Sequence, residues 1–236
     1  IKAALMNQAE TGIMNKPAHF GGALAPITRI GSGEVRVLPA LTTPAIAWDV
    51  ASQSGSLSFG FQDVTQTAGV VVITRTVNVR NDAPHPLTYQ ISPEFRFADD
   101  AENGAVHLAM PESIVVPAQG NNQFVVTMTI DGHLLRDWQL NSGPAGGDGD
   151  LLSVFEYDGY IRLTEVGNSS NTLHLAWQVL PRKAGDITLK AANASVELRN
   201  RGVATTTVES FSLIADSANL PEGSTGKQNP TPDFHY

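Results

Sequence analysis

Cysteine is absent from the 236 residues, which removes thiol catalysis, thiolate-bound zinc and disulfide bridges together. Charge is scarce as well. Asp, Glu, Lys and Arg make up 16%, against about 25% in ordinary soluble domains, so long helices laced with ion pairs are not expected. The 15 Lys and Arg face 23 Asp and Glu, for a net charge of -8, and the basic residues form no cluster. A phosphate backbone would be repelled, which argues against nucleic-acid binding. No apolar run approaches the roughly 20 residues that cross a bilayer as a helix, so membrane insertion is not expected either.

In place of charge the chain carries 21 Gly, 14 Pro and many Thr, Ser and Asn, a composition that favours turns and strands. Hydrophobic residues, at 42%, suffice to close a core. Ile1, Ala4, Leu5 and Ala9 recur at helical spacing before Gly12, which predicts a short helix whose apolar stripe needs another surface to cover it. Gly31-Ser32-Gly33 leads into Val35, Val37, Leu38 and Leu41, where Pro39 limits a helix to one or two turns.

From about Trp48 the apolar period becomes two. Val71, Ile73, Val77 and Val79 form one row, Leu87, Tyr89 and Ile91 a second after the turn Asn81-Asp82-Ala83-Pro84, and Phe124, Val126, Met128 and Ile130 a third. Asp158-Gly159 reads as a hairpin turn between residues 154–157 and 160–163. Leu173, Leu175, Trp177 and Val179 make a further inward row ended by Pro181. Residues 141–150 read as a loop, and further strands are expected around 196–198 and 207–213. The fold expected is mainly β, an antiparallel β-sandwich with a short helical N-terminal segment.

Chemistry-bearing patterns are few. Gly-Thr-Ser and G-x-S-x-G are both missing. The histidines His19, His85, His107, His133, His174 and His235 show no H-x-x-x-H pair. His174 alternates with Leu173 and Leu175 and is expected on a solvated face. Asp99-Asp100-Ala101-Glu102 and Asp148-Gly149-Asp150 read as solvated acidic turns, with a weak calcium site as the alternative. Trp177 belongs to the core row. Trp48, Trp138 and, beside the expected turn, Tyr157 and Tyr160 are the aromatics left for a stand-alone module that binds glycan or protein ligands. No residue is assigned as catalytic, cofactor-binding or metal-ligating.

Ile1-Lys2-Ala3-Ala4-Leu5-Met6-Asn7 with Ala9 resembles the I-K-x-x-L-M-N-T-A segment of subtilisin-like serine proteases, with Gln8 in place of Thr. Gly31-Ser32-Gly33-Glu34-Val35-Arg36-Val37 with Ala40 resembles the G-x-G-x-V-[DN]-x-x-x-A motif that closes their catalytic domains; Arg36 and Pro39 depart from it. Thr74 to Asn81 before Leu87-Thr88-Tyr89, Asp158-Gly159-Tyr160-Ile161 and Leu175 to Pro181 resemble the fibronectin-III-like domain that follows the protease domain in large cell-envelope subtilases. The resemblance implies a fragment of a longer chain. Residues 1–45 would be the remnant of the catalytic domain's last helices, 46–185 a fibronectin-III/immunoglobulin-like sandwich, and 186–236 the start of a further module or tail. It implies a catalytic Asp, His and Ser upstream of Ile1, and an extracellular or envelope-attached accessory role. The implied partners are the protein's own protease domain and a protein substrate or cell-surface component. It also implies that the Ile1/Leu5 stripe is an interface left open.

Overall fold

A computed structural model describes residues 1–16, 22–64, 69–136, 154–183, 187–192 and 195–200. The expected loop at 141–150, the strand at 207–213, Trp138, His19 and His235 lie outside these residues.

The N-terminal segment runs through α1 (Lys2–Asn7), β1 (Met14–Lys16), β2 (Ala23–Leu24), α2 (Ile27–Ile30) and α3 (Val37–Thr42). Strands follow: β3 (Ala45–Asp49), β4 (Ser56–Val64), β5 (Val70–Asn81) and β6 (Leu87–Phe95). A short helix α4 (Ala98–Asn103) leads to β7 (Val106–Ala109), β8 (Ser113–Val116) and β9 (Asn121–Asp131), and then come β10 (Tyr157–Glu165) and β11 (Asn168–Lys183). A separate two-stranded ladder pairs β12 (Ile187–Ala192) with β13 (Ser195–Asn200).

The larger strands form two sheets, one of order β3-β5-β9-β7 and the other β4-β11-β10-β6-β8. This is the two-sheet arrangement of the fibronectin-III/immunoglobulin-like sandwich. All its ladders are antiparallel except β4 with β11, which run parallel. The core follows the period-two rows. Phe124, Val126, Met128 and Ile130 from one sheet meet Leu173, Leu175, Trp177 and Val179 from the other, all buried. Asn81 locks the end of β5. Its side-chain amide donates to the carbonyls of His85 and Pro117 and its oxygen accepts from the Ala83 N–H, so the turn is held from inside.

Three expectations need correction. Asp158-Gly159 is no turn: both residues lie within β10, and the β10–β11 turn is at Val166-Gly167. Gly159 sits between Trp177 on β11 and Phe95 on β6, and a Cβ there would run into the Glu94 backbone. Glycine is needed for that close approach, and the Trp177 indole N–H reaches across it to the Glu94 carbonyl at 3.3 Å. Pro181 does not end β11. At that point the strand pairs only with β4, so no ladder bond is lost on the β10 side. Helix α1 ends at Gln8 rather than near Gly12, and its buried residue is Asn7, while Ile1 is fully exposed. Ala3 and Met6 pack against Gly55, so the inward face is rotated from the apolar stripe.

Candidate functional site

Alternation along β6, β10 and β11 places Glu94 and Arg96, then Asp158, Tyr160 and Arg162, then His174 and Ala176 on the outer face of the five-stranded sheet. Such residues ordinarily face water. Here the N-terminal segment lies over Arg96, Asp158, Tyr160, His174 and Ala176, which are buried, while Glu94 and Arg162 stay partly exposed and pair with each other. Arg96, nearly buried, is the central clamp: its guanidinium donates to the carbonyls of Ala25, Thr11 (3.0 Å) and Ile13 (2.9 Å) and to the Tyr160 hydroxyl (3.3 Å). The Ile27 N–H donates to Asp158 Oδ2, and the Thr28 hydroxyl donates to Glu156 at 2.9 Å. Ile27, Tyr160 and Ala176 form a small apolar cluster of their own beneath α2.

Asn7 joins the two sheets. Its amide donates to the His174 carbonyl on β11 at 3.0 Å and its oxygen accepts from the Ala47 N–H on β3 at 2.8 Å. Two backbone groups at facing sheet edges are satisfied by one buried side chain. Residues 31–34 return to the start of the chain through paired bonds between Glu10 and Glu34. At Gly33, with φ 123, a Cβ would collide with the Glu10 carbonyl. The second glycine of Gly31-Ser32-Gly33 therefore serves backbone approach.

The electrostatics follow from this cover. His174, expected in solvent, is only 5% exposed; the outer face is as read, but a second layer covers it. Burial pushes its pKa down to about 4, opposed by the bond from its Nε2 to the Ser32 carbonyl. Tyr160 stands edge-on to it at 5.1 Å. The Asp158 carboxyl is pushed up to about 7 by burial, with the Ile27 N–H and the Arg96 charge pulling the other way. Its Oδ1 and the Ser32 hydroxyl are buried without partners. The Ser32 hydroxyl is not bonded to the His174 ring, and a serine–histidine–carboxylate line is not formed among the described residues.

Tyr157 and Tyr160, expected at a loop tip, are both buried. The Tyr157 hydroxyl donates to Asn103. Asp99 and Asp100 open α4 rather than a turn, and Arg136 binds them at 3.0 and 2.8 Å; Asp99 is solvated as expected, Asp100 is not. Asp100 is buried, which raises its pKa to about 6 against the pull of Arg136. Asp148 and Asp150 lie outside the described residues. Trp177 is fully buried in the core, and Trp48 is half-buried on β3. A polar cavity of about 230 Å³ lies between Gln8, Thr43, Asn168 and Asn171, with no titratable group in its wall.

The opposite side of the N-terminal segment is apolar and open. Val35, Val37, Leu38 and Leu41 are 55%, 59%, 71% and 78% exposed. Val37 and Leu41, and Leu38 and Leu41, stand four and three residues apart and share one face of α3, while Ala40 is buried on the other. Sequence reasoning marked these residues as apolar but missed the Arg96 clamp, because a single arginine after a strand carries no local signal of three distant carbonyls.

No family model matches the chain, and no curated protein matches it. Among solved structures, a FixG-related protein from Vibrio parahaemolyticus aligns at TM-score 0.35 and 16% identity over 61% of this chain and 100% of that one. The CupB2 chaperone of Pseudomonas aeruginosa aligns at 0.31 and 14%, over 64% of this chain and 69% of that one. The secreted serine protease VesC of Vibrio cholerae aligns at 0.37 and 7%, over 73% of this chain and 28% of that one. Likenesses this distant leave the family of the chain open and carry nothing about its function.

Proposed function

We propose that this chain is a non-catalytic accessory region of a secreted subtilisin-like serine endopeptidase, in which the β-sandwich braces the protease domain through the N-terminal segment. One observation carries the reading. The two stretches that resemble subtilase motifs, Ile1 to Ala9 and Gly31 to Ala40, are joined by the Glu10–Glu34 bridge beside them, bond the sandwich through Asn7, Gln8 and the Ser32 carbonyl, and leave Val35, Val37, Leu38 and Leu41 exposed. A patch of that kind on a segment already anchored behind is what a covering domain leaves when it is not there. In this reading the covering body is the catalytic domain, the bracing is extracellular or at the cell envelope, and the sandwich spaces or orients the active site relative to protein substrates.

The test is the longer protein. Residues encoded before Ile1 are expected to include a G-T-S-M-[AS]-x-P-H segment. The longer chain is expected to take an active-site-directed serine reagent that the 236-residue chain does not take. Labelling of the 236 residues alone, or upstream sequence without that segment, overturns the proposal.

A further inference from the structure

Where the two sheets part, β3 is the edge of the four-stranded sheet, and β4 joins β11 only from Ala176 onward. The first half of β11 therefore has no strand on that side among the described residues. In an antiparallel ladder a residue turns both its N–H and its C=O either toward the neighbouring strand or away from it. On β3, Ala47 stands opposite Val79 but gives its N–H to Asn7 at 2.8 Å, so its backbone groups face the open side. Ala45 shares that parity: its N–H donates to Thr43 Oγ1 and its carbonyl accepts from the same hydroxyl. On β11, Thr172 and His174 stand opposite Thr164 and Arg162. Their carbonyls turn away from β10 and accept from the amides of Gln8 at 3.1 Å and Asn7 at 3.0 Å. Gln8 also donates to the Thr43 hydroxyl at 3.4 Å. Side chains of Asn7, Gln8 and Thr43 thus occupy backbone positions on both free edges.

An uncovered strand edge is a template for another strand, and a helix or loop laid over it removes that template. The covering groups here are primary amides, which carry the donor and acceptor of a peptide group. Asn7 sets its own between a carbonyl of one sheet and an N–H of the other, as a further strand would. We propose that Asn7 and Gln8 form an edge cap, which keeps the first half of β11 from pairing with the same strand of a second copy of this chain. The partner follows from the strand itself. Antiparallel pairing about a two-fold axis matches a strand to its own copy. Residues 168–175 contain no Asp, Glu, Lys, Arg or Pro, so two copies meet without like charges and with every backbone N–H present. The cap is a property of the sandwich edge and does not rest on the accessory-region reading.

The experiment is sedimentation velocity of the 236-residue chain and its variants over rising concentration, with amide hydrogen exchange on the same samples. Asn7→Ala with Gln8→Ala should self-associate at least about tenfold more tightly than the unaltered chain, since the capping bonds are lost. The Ala47 amide should exchange at least about tenfold faster in that variant, while the Val126 amide of the core does not change. Adding Thr172→Pro removes an N–H from the open edge and none from the β10 ladder, and should return association to that of the unaltered chain. Asn7→Asp serves where the alanine pair does not fold. It has nearly the same size, keeps an acceptor for Ala47 and loses the donor to His174, and it should also associate more tightly. Three results overturn the proposal: variants that associate no more than the unaltered chain, association that Thr172→Pro leaves in place, or an Ala47 amide whose exchange the alanine pair leaves unchanged.

Discussion

Removing Arg96 isolates the bond between the N-terminal segment and the sandwich. In Arg96→Ala the carbonyls of Ala25, Thr11 and Ile13 lose a charged donor, and the Tyr160 hydroxyl loses its guanidinium partner. Hydrogen bonds to a charged group contribute about 1.5–3 kcal/mol each. The Thr11 and Ile13 carbonyls are only partly buried and regain water, so their loss is discounted; the Ala25 carbonyl is buried and does not. The expected loss is about 3–5 kcal/mol in the docking of the segment, while the core, which shares none of these bonds, keeps its stability. Native-state hydrogen exchange separates the two. The Ile27 and Ala25 amides, bonded to Asp158 and Ile13, should exchange at least about a hundredfold faster in the variant. The Val126 and Ile161 amides in the core should not change. If docking and core amides accelerate together, the segment is no separable layer and the reasoning fails. If neither moves, Arg96 is no clamp.

Gly159→Ala drives a methyl into the Glu94 backbone and should cost about 3 kcal/mol in urea unfolding; a loss below about 1 kcal/mol would mean that β6 and β10 can separate without penalty. Two groups under the N-terminal segment set opposite pH dependences. Asp158, raised to about 7, holds its proton more tightly folded than unfolded, so its contribution is full below about pH 4 and is lost as pH rises through 7. His174, lowered to about 4, contributes above about pH 6.5 and loses that as pH falls toward 4. Thermal melts from pH 4 to 8 should therefore show a shallower alkaline decline in Asp158→Asn and a shallower acid decline in His174→Gln; a profile parallel to that of the unaltered chain refutes the assignment. Leu38→Ser with Leu41→Ser should change the stability of this chain by less than about 1 kcal/mol, both side chains being in water. The same pair in the proposed longer protein should loosen the protease domain, read as a lower melting temperature of that domain.

The period-two rows were legible because one face of each strand is apolar and the other is not. Phe124 to Ile130 and Leu173 to Val179 required nothing beyond that alternation. Local rules failed where a distant backbone decides. Asp158-Gly159 carries a strong short-range turn signature, yet Gly159 is selected by the approach of the Glu94 carbonyl, which no window of neighbouring residues contains. His174 was read on the correct face, but alternation reveals only which way a side chain points and not what lies over it. Asp100 looked like a surface acid because its partner, Arg136, is 36 residues away.

In the proposed role, the two faces of the N-terminal segment would divide the work of a brace. On the sandwich side the holding groups are largely backbone carbonyls, taken by Arg96 and Asn7. Such bonds fix the path of the segment and are directional, falling off steeply with misalignment. On the open side the groups are aliphatic, and burial of Val or Leu contributes about 1.5–3 kcal/mol per side chain without direction. Four such residues would supply several kcal/mol of attachment to a covering domain yet leave its orientation loosely set. Orientation would then come from the polar side, where the Arg96 and Asn7 bonds fix the path of the segment. It follows that Arg96→Ala in the proposed longer protein should leave the apolar attachment in place while freeing the angle between the two bodies. Small-angle scattering should register a broader distribution of shapes with little change in peptidase activity on small substrates. A variant that loses activity on small substrates instead would show that the segment supports the active site itself rather than the placement of the sandwich beside it.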